Sequence, residues 1–152
     1  MAEAISPEKV NATLEKLIDF LRDSHKGFTV IGEHIKDDSA RIFFLKETQV
    51  RAEFAAELEN ELHRLGVKDV KQSGMLSGAV HRSWGELKAK LGGGDHTLLE
   101  TAEQGEDATK KAYEVALSEH LPGDIRDILT RQQAHIQASH DKVKALRDSK
   151  AA

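Results

Sequence analysis

Val10, Leu14, Leu17, Leu21, Ser24, Phe28, Ile31 and Ile35 stand alternately four and three residues apart, and all but Ser24 are apolar. On an α-helix of about 3.6 residues per turn this alternation puts every one of them on a single stripe, whereas on a strand it would scatter them over both faces. A stripe of this length must be covered, and other helices with a similar seam are what cover it. Ser6 precedes it as an N-cap, Pro7 suits the first helical position, and Glu8 places an acid beside the free amide dipoles. A first helix is therefore expected over about 7–36, although Gly27 and Gly32 each lower its propensity by roughly 1 kcal/mol relative to Ala.

The same reasoning finds three partners. Asp37, Asp38 and Ser39 break the first helix and supply the next N-cap, a turn so short that the second helix must return antiparallel. Phe44, Arg51, Leu58 and Leu65 then recur every seven residues, with Phe54 and Leu62 beside them. Gly66 fits the left-handed position that ends a helix, and Val67 can touch Leu62 as in a Schellman motif, so helix two is expected over about 40–65. Asp95 is the expected N-cap of helix three, over about 96–120, with Leu99, Ala102, Glu106, Thr109, Tyr113 and Ala116 on its seam. Leu121, Pro122 and Gly123 stop it. Helix four, about 124–148, carries Ile125, Leu129, Gln132, Ile136, Ser139, Val143 and Leu146.

Between helices two and three lies a long connection, 67–95, in which Val80, Trp84, Leu87 and Leu91 outline a short helix over about 78–91. Such a connection lets helix three start at the opposite end of the molecule. The expected fold is all-α: one domain over 1–152, a ferritin-like four-helix bundle of two antiparallel hairpins joined by a long crossover.

Composition narrows the function. With 26 acids against 22 bases the formal charge is −4, which argues against nucleic-acid binding, and the absence of Cys removes disulfides, thiolate metal sites and thiol catalysis. The longest apolar run, Ile42 to Leu45, cannot span a membrane, and the start MAEAISPEK has no signal-peptide core, so a cytoplasmic protein is expected. Gly92 to Gly94 is followed by Asp95 rather than Lys-Ser/Thr, so it is not a phosphate loop, and no Gly-x-Ser-x-Gly elbow is present.

Three stretches, LEKLIDFLRDSHKGF (Leu14 to Phe28), SGMLSGAVHRSW (Ser73 to Trp84) and ETAEQGEDATKKAY (Glu100 to Tyr113), resemble a bacterial four-helix-bundle family, domain-of-unknown-function family 2383, of the ferritin-like superfamily. The similarity runs over nearly the whole chain, and its most specific part is Gly-Ala-Val-His-Arg-Ser-Trp. The resemblance implies a ferritin-like bundle associated with bacterial stress responses and brings no established reaction. The expected function is accordingly non-enzymatic, acting through self-association, with a homodimer in view, or through an unidentified protein partner. The alternative is a reduced iron or manganese centre of oxidase or peroxide-handling type.

That alternative can be tested on the residues. A dinuclear ferritin-like centre takes a Glu from each of two helices and a Glu-x-x-His from each of the other two. The residues three before the eight histidines are Arg22, Ile31, Asn60, Gly78, Gly93, Leu117, Gln132 and Gln137, none of them acidic. Gln132 with His135 and Gln137 with His140 keep the spacing but replace an anionic bridge by a neutral amide, which weakens the hold on two divalent ions. No metal or cofactor is expected; should a vestigial site exist, Glu103, Glu106, Gln132 and His135, with His25 near, are its candidates.

Polar residues nevertheless interrupt every seam: Ser24, Arg51, Glu106, Gln132 and Ser139. Buried charges must be paired, so Arg51 is expected to pair with Glu106 in a polar layer across the middle that fixes helix register. The acid-to-base spacings Glu106 to Lys110, Asp107 to Lys111 and Asp127 to Arg131 suit exposed helix faces, and for Glu106 this competes with the inward role. His63 and His120 are expected in the last turns of helices two and three, facing the carbonyl ends. In the crossover, Trp84 is expected to pack down while His81, Arg82, Lys88 and Lys90 face solvent.

Overall fold

The computed structural model describes residues 5–70, Leu87 and residues 91–150. Among these it shows four helices and no strand: α1 (Pro7–His34), α2 (Asp38–Arg64), α3 (Asp95–Leu117) and α4 (Gly123–Asp148). The expected short helix over 78–91 and the motif His81, Arg82 and Trp84 lie outside the described residues, apart from Leu87, which is buried, and Leu91, which packs near it.

α1 is continuous through Gly27, and all eight members of its seam are buried. Ser6 Oγ accepts from the Lys9 amide at 3.2 Å, closing its N-terminus. α2 is capped by Asp37, whose carboxylate accepts the Ala40 N–H at 2.8 Å. It ends where Gly66 takes φ +94°, and the Val67 N–H reaches Leu62 O and the Gly66 N–H reaches His63 O, each at 3.0 Å, which is the Schellman arrangement. That reversal ends the seam one residue early. Leu65 keeps the seven-residue beat but is 40% exposed.

Two expectations about caps are corrected. Asp95 does not cap α3: Gly94 occupies the cap position at φ +88° with no side-chain bond, and Asp95 is already helical. The Asp95 carboxylate accepts the amides of Lys36 at 2.8 Å and Asp37 at 2.9 Å, so it caps the α1–α2 turn instead. His120 lies beyond α3, which stops at Leu117, whereas the His63 ring bonds Val67 O at 2.9 Å in the α2 terminus.

These end contacts fix the helix directions. The start of α3 lies against the α1–α2 turn, and Lys150, just past α4, meets Asp37 at 2.7 Å. At the other end Arg64 bonds Asp124, and Lys9 faces Glu119 at 3.3 Å. α1 therefore runs antiparallel to α2 and α3, and α4 antiparallel to α2 and α3. Each helix packs on two neighbours, α1 on α2 and α3, α4 on α3 and α2, which leaves α2 and α3 across a diagonal.

Inside, the apolar side chains form two clusters rather than one. The first holds Leu14, Leu17, Leu21, Leu58, Leu62, Tyr113, Ile125 and Leu129, and the second holds Phe28, Ile31, Phe44, Leu98, Leu99 and Val143. Each buried Leu or Ile stabilises the fold by roughly 1.5–3 kcal/mol. Between the clusters the chain inserts polar side chains from all four helices.

Candidate functional site: a charged layer across the bundle

The layer forms because each helix carries at least one buried polar residue where its seam passes mid-bundle. Arg51 on α2 is the largest of the fully buried side chains and Glu106 on α3 is fully buried too. Arg51 Nη1 donates to Glu106 Oε1 at 2.6 Å and Nη2 to Oε2 at 2.9 Å, a two-pronged pair that crosses the diagonal. Nη2 also donates to Ser139 Oγ on α4 at 3.1 Å. The guanidinium carbon stands 4.9 Å from the Phe28 ring centroid, so α1 contributes an aromatic face to the same cation. Thr109 Oγ1 donates to Gly105 O at 3.0 Å, which leaves Ser24 to donate to Thr109 across 3.2 Å.

Burial alone would lower the affinity of Arg51 for its proton. The charge of Glu106 and its hydrogen bonds, followed by the charge of Glu47, outweigh that cost and raise the guanidinium above its ordinary value. Glu47 Oε2 is 3.4 Å from Arg51 Nε, close enough for charge but without a hydrogen bond on either atom. Its other oxygen accepts from His135 Nε2 at 2.7 Å. His135 stands at the edge of the bundle, its ring packed edge-on against Phe54 with centroids 5.4 Å apart.

A second polar chain runs beside the layer. The buried Tyr113 hydroxyl donates to Gln132 Oε1 at 2.6 Å, and Gln132 Nε2 donates to Glu57 Oε1 at 2.8 Å. Burial, and to a lesser degree the charge of Glu57, push the phenol far above its ordinary value despite the opposing charge of Arg51.

Glu103, Glu106, Gln132 and His135 do not converge. Both oxygens of Glu106 are engaged by Arg51, Gln132 serves Tyr113 and Glu57, and His135 serves Glu47. Glu103 turns the other way, pairing with Arg147 and facing His140. His25 donates from Nδ1 to Thr48 O at 2.8 Å on the α1–α2 flank. The residues present therefore do not fit a dinuclear centre in the core, because a guanidinium stands where its acids would have to face the ions.

Glu47 escaped the sequence reading, yet it lies three after Phe44 and four before Arg51, on the same stripe. Glu57 had no such signal, since its partners Gln132 and Arg131 lie on another helix. The spacing of Asp107 suits Lys111, but its carboxylate bonds His140 Nε2 at 2.7 Å.

No curated protein matches the chain. The model of one family matches residues 9–119, which takes in α1, α2, α3 and both members of the buried pair and stops short of α4. By that match the chain belongs to the family described as Domain of unknown function (DUF2383).

Proposed function

We propose that the chain is a ferritin-like bundle that works by association, with a second copy of itself or with a protein partner, and carries out no redox chemistry in its core. The observation that carries this reading is the Arg51–Glu106 pair, which fills mid-bundle with a cation and both oxygens of the one acid that is fully buried among the described residues. The ferritin-like assignment, with a crossover joining the hairpins, is supported by the helix directions: α2 ends beside Asp124, whereas α3 begins beside Asp37. The stress association comes from the family resemblance and, with a cytoplasmic setting, belongs to the same proposal.

Support for self-association comes from α2, where Ile42, 63% exposed, and Leu45, 42% exposed, share one outer face. Light scattering on the full chain at micromolar concentration is expected to give a dimer that Ile42→Glu with Leu45→Glu splits; a clean monomer would remove the self-association arm. The core reading is tested separately by loading with ferrous iron without oxygen, then exposing to air and counting iron. Two ions per chain, lost in Glu106→Gln, would reinstate the oxidase or peroxide-handling alternative.

A further inference from the structure

On the flank of α3 that faces α4, beside the stripe that carries Glu106, Glu103 and Asp107 stand one helical turn apart on one face, and His140 of α4 reaches between them. We propose that these three residues form a mononuclear site for a divalent transition metal of the zinc class, independent of the bundle core. One ligand atom from each lies within 4.8 Å of the other two. Ligands 2.0–2.2 Å from one ion stand roughly 3–3.5 Å apart, which the trio reaches if the 2.7 Å His140–Asp107 contact opens and the Glu103 oxygen, now 4.0 Å from the ring, moves in.

The chemistry of the donors fits. Two carboxylates balance a divalent charge, and an imidazole nitrogen favours zinc-class ions over calcium or magnesium, which prefer all-oxygen shells. His140 Nε2 is the nitrogen that faces the acids, 2.7 Å from Asp107 Oδ1 and 4.0 Å from Glu103 Oε1. Its Nδ1 is 3.2 Å from Asp141 Oδ1. A carboxylate behind the ring can take the Nδ1 proton, so that Nε2, which bonds Asp107 in the metal-free protein, is the nitrogen an ion would take up, the usual outer support of a metal-bound histidine. Asp141 is itself fixed by Gln137 Nε2 at 3.0 Å.

Glu103 is also held. Arg147 bonds its Oε2, which leaves Oε1 as a single donor turned to the ring. The His140 side chain is only 11% exposed, while that of Asp107 is 60% exposed, so the trio is anchored on the bundle side and open to water on the other. Three protein ligands with a water in the fourth position is the arrangement this leaves. A bound ion would tie α3 to α4 halfway along that hairpin.

Isothermal titration of the metal-free chain with zinc is expected to show one site per chain, and cobalt(II) to give the visible absorption of a low-symmetry, four-coordinate ion. Asp107→Asn, at an exposed position that does not endanger folding, and His140→Ala should each abolish the cobalt band. Asp141→Asn should weaken zinc binding roughly 10- to 100-fold while the band persists. His34→Ala, on an exposed histidine elsewhere, should leave both readouts unchanged. Absence of zinc binding, or binding that Asp107→Asn leaves untouched, would overturn the proposal.

Discussion

Arg51 and Glu106 meet across the diagonal of the bundle, α2 to α3, through two parallel hydrogen bonds of 2.6 and 2.9 Å with neither side chain exposed. Such a pair is costly to bury and more costly to break, because the surviving charge is left without a counter-charge in the interior. Its main effect is on specificity: sliding one helix by a residue would bring a guanidinium against Leu or Phe, so the layer sets the register in which two apolar clusters can form.

A double-mutant cycle separates these effects. Glu106→Leu and Arg51→Met are each expected to cost about 3–5 kcal/mol in urea unfolding, whereas the two together should cost much less than the sum and approach the wild type. Additive losses would mean that the two residues stabilise the fold through separate partners.

How much of this was legible in the sequence depends on what each feature requires. The α1 seam needs only spacing, and all eight of its residues are inside. Leu65 obeys the same spacing and is exposed, because Gly66 turns the chain before the stripe is complete. The inward placement of Arg51 and Glu106 follows from phase within each helix. That they bond each other across the diagonal, while Ser24 bonds Thr109, depends on the rotation and height of four helices, which packing sets and local sequence does not encode. Asp95 shows the same limit: cap chemistry was readable, but the amides it serves belong to a turn 58 and 59 residues earlier in the chain.

Tyr113 provides a test with little background, since it is the only tyrosine. Its phenol is held far above the ordinary value of about 10, chiefly by burial. A group raised in the folded state contributes stability below its unfolded value and loses it as pH rises through that range. Tyrosinate absorbance is therefore expected to appear only together with loss of helical circular dichroism in alkali. A reversible titration near pH 10 with the helices intact would show that the hydroxyl reaches water.

Gly66 sits at φ +94° with open space around its α-carbon, so only backbone strain opposes a side chain there. Gly66→Ala should cost about 1–2 kcal/mol, and Gly66→Asn less, because Asn tolerates the left-handed region. Equal effects of the two substitutions in thermal unfolding would point to a steric rather than a conformational cause.

Asp37 ties three pieces of the same end together: it caps α2 through the Ala40 amide, accepts from Ser39, and bonds Lys150 beyond α4 at 2.7 Å. The Lys150 hydrogen bond, then that of Ala40, then that of Ser39, hold its carboxyl well below the usual carboxylate range. A depressed acid stabilises the fold above its unfolded value, near pH 4, and that contribution disappears as pH falls through the folded value. Asp37→Asn keeps an N-cap of comparable quality and removes only the charge. The stability difference between wild type and this variant should be largest at neutral pH and shrink steadily below about pH 4. Lys150→Met should reproduce most of the loss at pH 7 and add little to Asp37→Asn, whereas a full additional loss would show that Lys150 acts through another partner.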